Sequence, residues 1–326
     1  MPHWSTPGGT VGVVVLLTVV LAPLIAQNAP LAAPASHTQI VLLGTGNPPA
    51  DPDRSGPATA IVVNGTPYLV DFGAGVVRRA KAAVADRGIT ALEPTNLRVV
   101  FVTHLHSDHT VGYPDLILTP WVLGRRFPLE VYGPTGIKAM TEHLLEAYSA
   151  DFDTRMKDSA IIGPGPMRSS PEGHNVNAHE IAAPGVVYRD GNVTVTAFPT
   201  KHAMESYGYR FDTPDRSIVI SGDTNPTQAT IDACHGCDVL IHEVLTQEWL
   251  AKRPDFQNYA SKFHTSTLRL AELATKAKPG LLILYHASIS WRPAVDSVRS
   301  TPAELLNEIS AQYAGHVVVG RDLDVY

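Results

Sequence analysis

Short apolar runs of strand length dominate the first third of the chain. Residues 40–43 and 97–102 are nearly continuous apolar stretches, and β-branched side chains are frequent in the second. Both runs predict strands, and the second is expected to be buried on both faces. Asn64 and Gly65 separate two further short runs, which predicts a β-hairpin with a type I′ turn. The helical spacing of apolar residues over 75–86 predicts the first helix.

In the second half, predicted strands first pair in hairpins and then alternate with helices. Turn residues around Asp190 and Pro214 each separate two apolar runs, so we expect hairpins at 186–198 and 207–220. The later order of elements predicts an α/β fold with strands at its core. Its helices are expected to begin at residues 227, 265 and 303, and its strands to cover 239–242 and 281–284.

One stretch interrupts this regular order. Residues 151–177 follow a helix predicted over 135–150, are rich in Gly, Pro and Ser, and show no apolar period. We therefore expect 151–177 to form a surface loop or a lid.

The N-terminal residues have a different composition from the rest. Residues 11–25 form an apolar run interrupted only by Thr18 and Pro23, which is the length of a signal-peptide core and shorter than a membrane span. Cleavage is expected after Ala26 or Ala35, although residues 1–10 lack Lys and Arg. We therefore predict an exported protein, periplasmic or secreted, without stable membrane insertion after cleavage. Its segments would be a signal peptide or anchor (1–26), an Ala/Pro-rich linker (27–37) and one folded domain (38–326).

Composition narrows the chemistry. The 326 residues are 44% hydrophobic, which is enough for one substantial core, and the net charge of −6 provides no general attraction for phosphate backbones. Fourteen histidines against two cysteines favour metal binding by imidazole and carboxylate over a thiolate site. Cys234 and Cys237 are expected to be small packing residues, with a disulfide as the alternative in an exported protein.

The strongest chemical signal follows directly after the predicted strand 97–102. Four potential metal ligands lie within six residues there. His104 and His106 alternate in an extended segment and can bind one ion, while Asp108 and His109 at the next turn can face a second. Zinc accepts these ligand atoms, and a catalytic zinc site keeps one position open for water.

The remaining ligands must come from other strand ends. His202, Asp223 and His286 each lie shortly beyond an apolar run of strand length. A sheet can bring such residues together at one edge. Seven ligands for two ions argue against the alternative of a binding protein in which zinc only staples the fold, since structural zinc sites are closed four-ligand cages.

From residue 38 to residue 326, the chain resembles the metallo-β-lactamase superfamily and, within it, the ribonuclease Z group of phosphodiesterases. The resemblance depends on seven segments with specific motifs. They are residues 43–46 (LGTG), 104–109 (HLHSDH), 201–210 (KH followed by SYGYR), 221–224 (SGDT), 238–243 (DVLIHE), 264–267 (HTST) and 286–288 (HAS).

The resemblance implies an αββα sandwich that binds two Zn²⁺ ions, with Mn²⁺ or Fe²⁺ as alternatives. One ion would bind to His104, His106 and His202 and the other to Asp108, His109 and His286, with Asp223 bridging them. A hydroxide between the ions would attack the ester phosphorus. Asp108, Glu243 and His264 are the implied catalytic residues, and the last two would together deliver a proton to the leaving oxygen.

The resemblance leaves the substrate open. Ribonuclease Z enzymes carry a long arm that grips tRNA, and in one branch it lies between the positions of Arg210 and Ser221, where this chain has only residues 211–220. We therefore expect small or oligomeric phosphate esters rather than tRNA, and a homodimer is compatible with the sequence. β-Lactam, lactone, thioester and sulfate-ester hydrolysis are the alternatives on the same dinuclear site.

Overall fold

The computed structural model describes residues 3, 8, 38–162, 170–292 and 299–326, without the side chains of 159–162. Residues 36–326 form one compact unit. The predicted segments 1–26 and 27–37 lie outside the described residues, except for His3 and Gly8. Within the described ranges, every helix is too short or too polar to cross a lipid bilayer.

The first sheet has six strands in the order of the chain. Its first three strands are antiparallel to one another, and the remaining strands join in parallel. At the β1 edge, the backbone of Ile40 exchanges two hydrogen bonds with that of Tyr326, at 3.0 and 2.9 Å. The strands are β1 (Thr38–Gly44), β2 (Ala58–Val63), β3 (Thr66–Val70), β4 (Val99–Phe101), β5 (Leu129–Gly133) and β6 (Val176–Glu180).

The second sheet has seven strands, which also lie side by side in chain order. Its first four strands form two antiparallel hairpins joined to each other, and the last three add in parallel. The strands are β7 (Gly185–Arg189), β8 (Thr194–Pro199), β9 (Tyr207–Asp212), β10 (Ser217–Ile220), β11 (Val239–Glu243), β12 (Leu281–Tyr285) and β13 (Val317–Val319).

Helices cover the outer face of each sheet. The ten helices of the described ranges are α1 (Val76–Arg87), α2 (Ser107–Thr110), α3 (Tyr113–Val122), α4 (Ile137–Ala147), α5 (Ser149–Ile162), α6 (Gln228–Cys234), α7 (Gln247–Ala251), α8 (Pro254–Phe263), α9 (Thr267–Ala277) and α10 (Pro302–Ser310). Helices α1, α3 and α4 share one apolar core with the first sheet, while α6, α9 and α10 share another with the second. This layering is the predicted αββα sandwich.

The central core lies between the two sheets. Phe101 is fully buried there, and its ring lies 5.4 Å from the rings of both Tyr209 and Phe211 on the opposite sheet. Burying a large apolar side chain contributes roughly 1.5–3 kcal/mol. This core therefore holds together the two sheets whose strand ends carry the predicted ligands.

The predicted hairpins are present. Asn64 and Gly65 both have positive φ angles, 49° and 78°, as a type I′ turn requires. Strands β7 and β8 are antiparallel on either side of Asp190, and β9 and β10 are antiparallel on either side of Pro214. The short β9–β10 connection agrees with the expected lack of an arm at this position.

The prediction of a loop over 151–177 is wrong. Helix α5 extends through Ile162, and β6 begins at Val176 as the edge strand of the first sheet. Residues 163–169, the centre of the predicted loop, lie outside the described residues. The helix was missed because its apolar residues do not form a clear stripe and a Gly/Pro cluster follows it, which together favour a loop.

The two cysteines form a disulfide, which the sequence analysis gave as the alternative to unpaired packing residues. Cys234 and Cys237 are joined by a disulfide between α6 and β11. Both are buried within the apolar core under α9. The two cysteines therefore both pack in this core and form a covalent cross-link within it.

Candidate metal centre

All seven predicted ligands meet at one place. Strand β4 leads into His104–His109, and β8, β10 and β12 lead into His202, Asp223 and His286. Their potential ligand atoms form overlapping groups within 4.8 Å of one another. Both sheets thus contribute to a single cluster.

Three histidines form the first half of the cluster. His104 Nε2 and His202 Nε2 each lie 3.0 Å from His106 Nδ1. Ligand nitrogens on a tetrahedral zinc ion, at about 2.0–2.1 Å from the metal, are roughly 3.3 Å apart. The three nitrogens are therefore spaced as ligands of one ion would be.

The second half combines a carboxylate with two imidazoles. Asp108 Oδ2 lies 3.1 Å from His286 Nε2 and 3.6 Å from His109 Nε2. These three residues form a further group with atoms close enough to hold one ion.

Asp223 lies between the two halves. Its Oδ2 is 4.0 Å from the Nε2 atoms of His104 and His202. Its Oδ1 is 3.4 Å from His109 Nε2 and 3.3 Å from His286 Nδ1. Because each oxygen faces a different group, the carboxylate has the arrangement of a bridging ligand.

The cluster contains polar atoms that the protein leaves without hydrogen-bond partners. Among the described residues, they include His109 Nε2, Asp223 Oδ1 and His286 Nδ1, all of which are buried. A buried polar atom without a partner costs about 1–3 kcal/mol. Because these three atoms converge, a bound cation would satisfy them together, and the donor set fits a divalent metal.

Hydrogen bonds outside the cluster turn three histidines toward its centre. His109 Nδ1 lies 2.8 Å from Asp71 Oδ2, and His202 Nδ1 donates to the carbonyl of Phe263 at 3.0 Å. His104 Nδ1 lies 3.0 Å from the Thr103 hydroxyl. Each contact leaves Nε2 for a metal, as such partners do in metal sites.

Asp71 was missed by the sequence analysis. It follows β3 directly, is 1% exposed and has a positive φ of 61°. It accepts hydrogen bonds from the backbone N–H and the hydroxyl of Thr103, at 2.7 and 2.9 Å. An acidic residue after a buried strand was the available signal, but its partner His109 lies 38 residues away and is brought close only by the pairing of β3 with β4.

Burial favours the neutral form of the histidines in the first half of the cluster. It lowers the pKa of His104 well below its usual value and that of His202 to about 4. Neutral imidazole is the form that binds metals. Burial raises the pKa of Asp223, but His286 and His109 outweigh this effect and hold that pKa well below its usual range. His104 and His202 therefore present neutral nitrogens, and Asp223 presents an ionised carboxylate.

Glu243 and His264 form a pair beside the cluster. Glu243 is fully buried at the end of β11, and its Oε1 lies 2.9 Å from His264 Nδ1. The same oxygen accepts the Thr224 backbone N–H at 2.9 Å. Burial lowers the pKa of His264, but the Glu243 carboxylate has the larger combined effect and raises it to about 9. His264 follows α8, and Asn225 fixes its backbone by donating to the His264 carbonyl at 3.0 Å.

A cavity of about 460 Å³ opens onto the centre. This volume lies within the range of about 300–1,000 Å³ that is typical of small-molecule sites. A structural zinc site would be closed by its ligands. The polar and charged residues that line this cavity include Asn47, His106, Ser107, Asp108, His202, Asp223, Arg253, His264, His286 and Ser288.

Comparisons with known proteins agree with this site. A beta-lactamase superfamily domain model matches residues 66–287. Ribonuclease Z from Mycobacterium bovis (strain BCG / Pasteur 1173P2) is 31% identical over 291 residues, which cover 87% of this chain and 96% of that protein. Ribonuclease Z from Mycobacterium sp. (strain KMS) is 34% identical over 255 residues, covering 76% and 83%. The crystal structure of human tRNase Z, short form, resembles the fold with a TM-score of 0.63 at 20% identity, covering 88% and 98%.

The fold and the site together define a metal-dependent hydrolase. The chain belongs to the β-lactamase superfamily and, within it, to the ribonuclease Z family. The predicted superfamily, fold class and enzyme type are thereby confirmed, and the activity is of the metal-dependent phosphodiesterase type.

Proposed function

We propose that this enzyme hydrolyses small or oligomeric phosphate diesters with two zinc ions. His104, His106 and His202 would hold one ion and Asp108, His109 and His286 the other, with Asp223 shared. The observation that carries the proposal is the Glu243–His264 pair, whose histidine lines the same cavity as the ligands. Hydrolysis of a phosphate diester expels an alkoxide, which is a poor leaving group and needs such a proton donor.

The chain's own residues divide the remaining work. When bound, the two ions supply Lewis acidity toward water and toward a phosphoryl oxygen. Asp108, on the cavity wall, also orients the attacking water. Glu243 holds Nδ1 of His264, so the other ring nitrogen, Nε2, gives its proton to the departing oxygen. Glu243 is a positioning residue, because His264 stands between it and the substrate.

Small diesters are favoured over tRNA for two reasons. The β9–β10 connection is a tight turn over residues 213–216, without the tRNA-gripping arm that one branch of ribonuclease Z enzymes carries at this position. The net charge of −6 also disfavours binding to a long polyanion. tRNA processing remains the second candidate, because the relatives at 31% and 34% identity are named ribonuclease Z.

A side-by-side assay of the zinc-loaded enzyme tests the proposal. The substrates are a dinucleoside phosphate, a precursor tRNA, a phosphomonoester, a sulfate ester, a lactone and a β-lactam. We expect the dinucleoside phosphate to be hydrolysed with the highest kcat/KM and Asp108→Ala to abolish turnover without unfolding the protein. Preferred cleavage of the precursor tRNA would establish the second candidate, and preferred opening of the lactone or β-lactam would refute phosphodiester hydrolysis.

His264→Ala tests the proton donor separately. Its kcat should fall strongly for the dinucleoside phosphate and little for a p-nitrophenyl diester, because p-nitrophenolate leaves without a proton. Equal losses for both substrates would remove His264 from this role.

We also propose export, on the basis of the apolar run 11–25 and the Cys234–Cys237 disulfide. Structural disulfides are rare in reducing compartments. Fractionation of cells that express the full chain, followed by sequencing of the mature N-terminus, provides the test. Full-length protein in the cytoplasm with free thiols would contradict the proposal.

A further inference from the structure

One wall of the catalytic cavity is aromatic. It is formed by Trp249, Phe256 and Tyr259 of α7 and α8, and we refer to these three residues as the aromatic wall. The Phe256 ring contacts the other two rings, with centroids 5.4 Å apart for Trp249–Phe256 and 5.3 Å for Phe256–Tyr259. All three line the cavity of about 460 Å³ that holds the metal ligands.

The aromatic wall lies next to the proposed proton donor. The His264 ring is 5.6 Å from that of Tyr259 and 6.0 Å from that of Phe256. His264 must touch the oxygen that departs. The group attached to that oxygen therefore lies against the aromatic wall.

Two of the three aromatic side chains of the wall are not fully buried by packing. Trp249 is 8% exposed and closes a small apolar cluster with Leu245 and Ala260. Phe256 and Tyr259 are only partly buried and face the cavity. Flat rings that remain open to a substrate cavity are suited to stacking on another flat ring.

The cationic side chains beside the wall are both paired with carboxylates. His264 is paired with Glu243 at 2.9 Å, and Arg253 lies at the wall with its guanidinium carbon 5.4 Å from the Trp249 ring centre. That guanidinium is paired with Asp255 at 3.0 Å. Between these paired charges, the surface of the wall itself is aromatic.

We propose that the aromatic wall binds the nucleobase of the leaving nucleoside, so that the preferred substrates are diesters in which a nucleoside departs. The inference rests on the proposed phosphodiesterase function. In the step, the oxygen of water bonds to phosphorus and releases one proton to solvent, the bond from phosphorus to the nucleoside oxygen breaks, and His264 gives that oxygen a proton. A nucleoside and a phosphate monoester result. A second cavity of about 610 Å³ shares Asn47 and Asp108 with the first and has room for the other ester group.

A substrate with two possible leaving groups tests the proposal within one reaction. Thymidine 5′-methyl phosphate and thymidine 3′-methyl phosphate can each release either thymidine or methanol. Stacking of one base on an aromatic side chain strengthens binding by roughly five- to hundredfold. For at least one of the two esters, we expect the wild-type enzyme to release thymidine over methanol by at least about fivefold.

Variants of the wall should reduce this preference. Phe256→Leu and Tyr259→Leu should bring the ratio of thymidine to methanol toward unity, and Phe256→Met should do the same while keeping the packing volume against Trp249. Tyr148→Leu, a partly exposed tyrosine at the end of α4, serves as the matched control and should leave the ratio unchanged.

The outcomes separate the two proposals. Hydrolysis of both esters with equal release of thymidine and methanol, or a preference that survives all three wall variants, would overturn the leaving-nucleoside site while retaining the phosphodiesterase. Failure to hydrolyse any diester would refute the phosphodiesterase and the leaving-nucleoside site together.

Discussion

At the scale of single residues, the carboxylate that orients His109 deserves the first test. Asp71 contacts no atom of the cavity but fixes the ring nitrogen of a ligand at 2.8 Å. Removing such an outer partner typically lowers metal affinity by 10–100-fold. We expect Asp71→Asn to weaken zinc binding by about that factor, because an amide is a poorer acceptor for Nδ1–H.

Competition with a chelator of known affinity measures this effect. Asp212→Asn, which removes a half-buried carboxylate paired with Arg210, is the control and should bind zinc as the wild type does. Unchanged zinc affinity in Asp71→Asn would show that the contact does not orient His109.

The glycine before Asp223 is a second residue whose replacement has a defined cost. Gly222 has a φ of 62°, and an added Cβ would lie 2.7 Å from Cβ of Thr103. Gly222→Ala therefore combines backbone strain with a steric clash, and we expect the free energy of unfolding to fall by about 2–4 kcal/mol.

A matched glycine separates the two contributions. Gly65→Ala, with a φ of 78° and open space around the added Cβ, should cost only about 1 kcal/mol. Urea denaturation of both variants provides the comparison. Equal losses would mean that Thr103 moves aside and that only the backbone conformation matters.

At the scale of elements, the β7–β8 hairpin depends on an acidic turn residue. Asp190 accepts hydrogen bonds from the hydroxyls of Tyr68 and Tyr188, at 2.6 and 3.0 Å, and from two backbone N–H groups of its own turn. Burial raises the pKa of Asp190, but these hydrogen bonds outweigh it and lower that pKa below its usual value.

This shift predicts a pH dependence of stability. A carboxyl whose pKa is lowered on folding stabilises the folded state above its unfolded pKa of about 3.9, and the stabilisation is lost as the pH falls through the folded value. Asp190→Asn should thus cost about 1 kcal/mol at pH 7 and flatten the loss of stability below about pH 4. Thermal unfolding over pH 2–7, with the exposed Asp86→Asn as control, tests this. A parallel decline in all three proteins would contradict it.

Elements that carry a local signal were predictable from the sequence. The Asn64-Gly65 turn needs two positive φ angles, and the HLHSDH segment places four ligands within six residues, so both could be recognised without tertiary information. The elements that were missed lack such a signal. Helix α3 carries Pro120 inside it, and β6 owes its strand conformation to pairing with β5.

The same limit applies to the site. His202, Asp223 and His286 could be predicted because each follows an apolar strand. The aromatic wall could not, since Trp249, Phe256 and Tyr259 reach the cavity only through the packing of two short helices, α7 and α8. Sequence patterns thus indicate the candidate ligands, whereas the walls of the cavity depend on tertiary contacts.

At the scale of the whole molecule, the metal centre connects the two sheets. His104 and Asp108 follow a strand of the first sheet, and Asp223 and His286 follow strands of the second. A ligand that binds only the folded state stabilises it by about 2.7 kcal/mol at one hundred times its Kd. We therefore expect chelation to lower the unfolding temperature by several degrees and zinc to restore it.

Asp223→Asn is the matched variant for this experiment. Its unfolding temperature should respond less to zinc than that of the wild type, because the residue between the two ligand groups has lost its charge. A wild-type unfolding temperature that does not change with chelator and zinc would refute the coupling of metal binding to folding.

The backbone contact between the C-terminal residues and β1 also limits how two copies of the protein could associate. Because residues 323–326 already bond the outer backbone groups of Ile40 and Leu42 in β1, this side of the first sheet offers no template there for a strand from a second copy. A homodimer built by joining sheets end to end would have to begin at β6, β7 or β13, and crosslinks placed on β1 should not connect two copies.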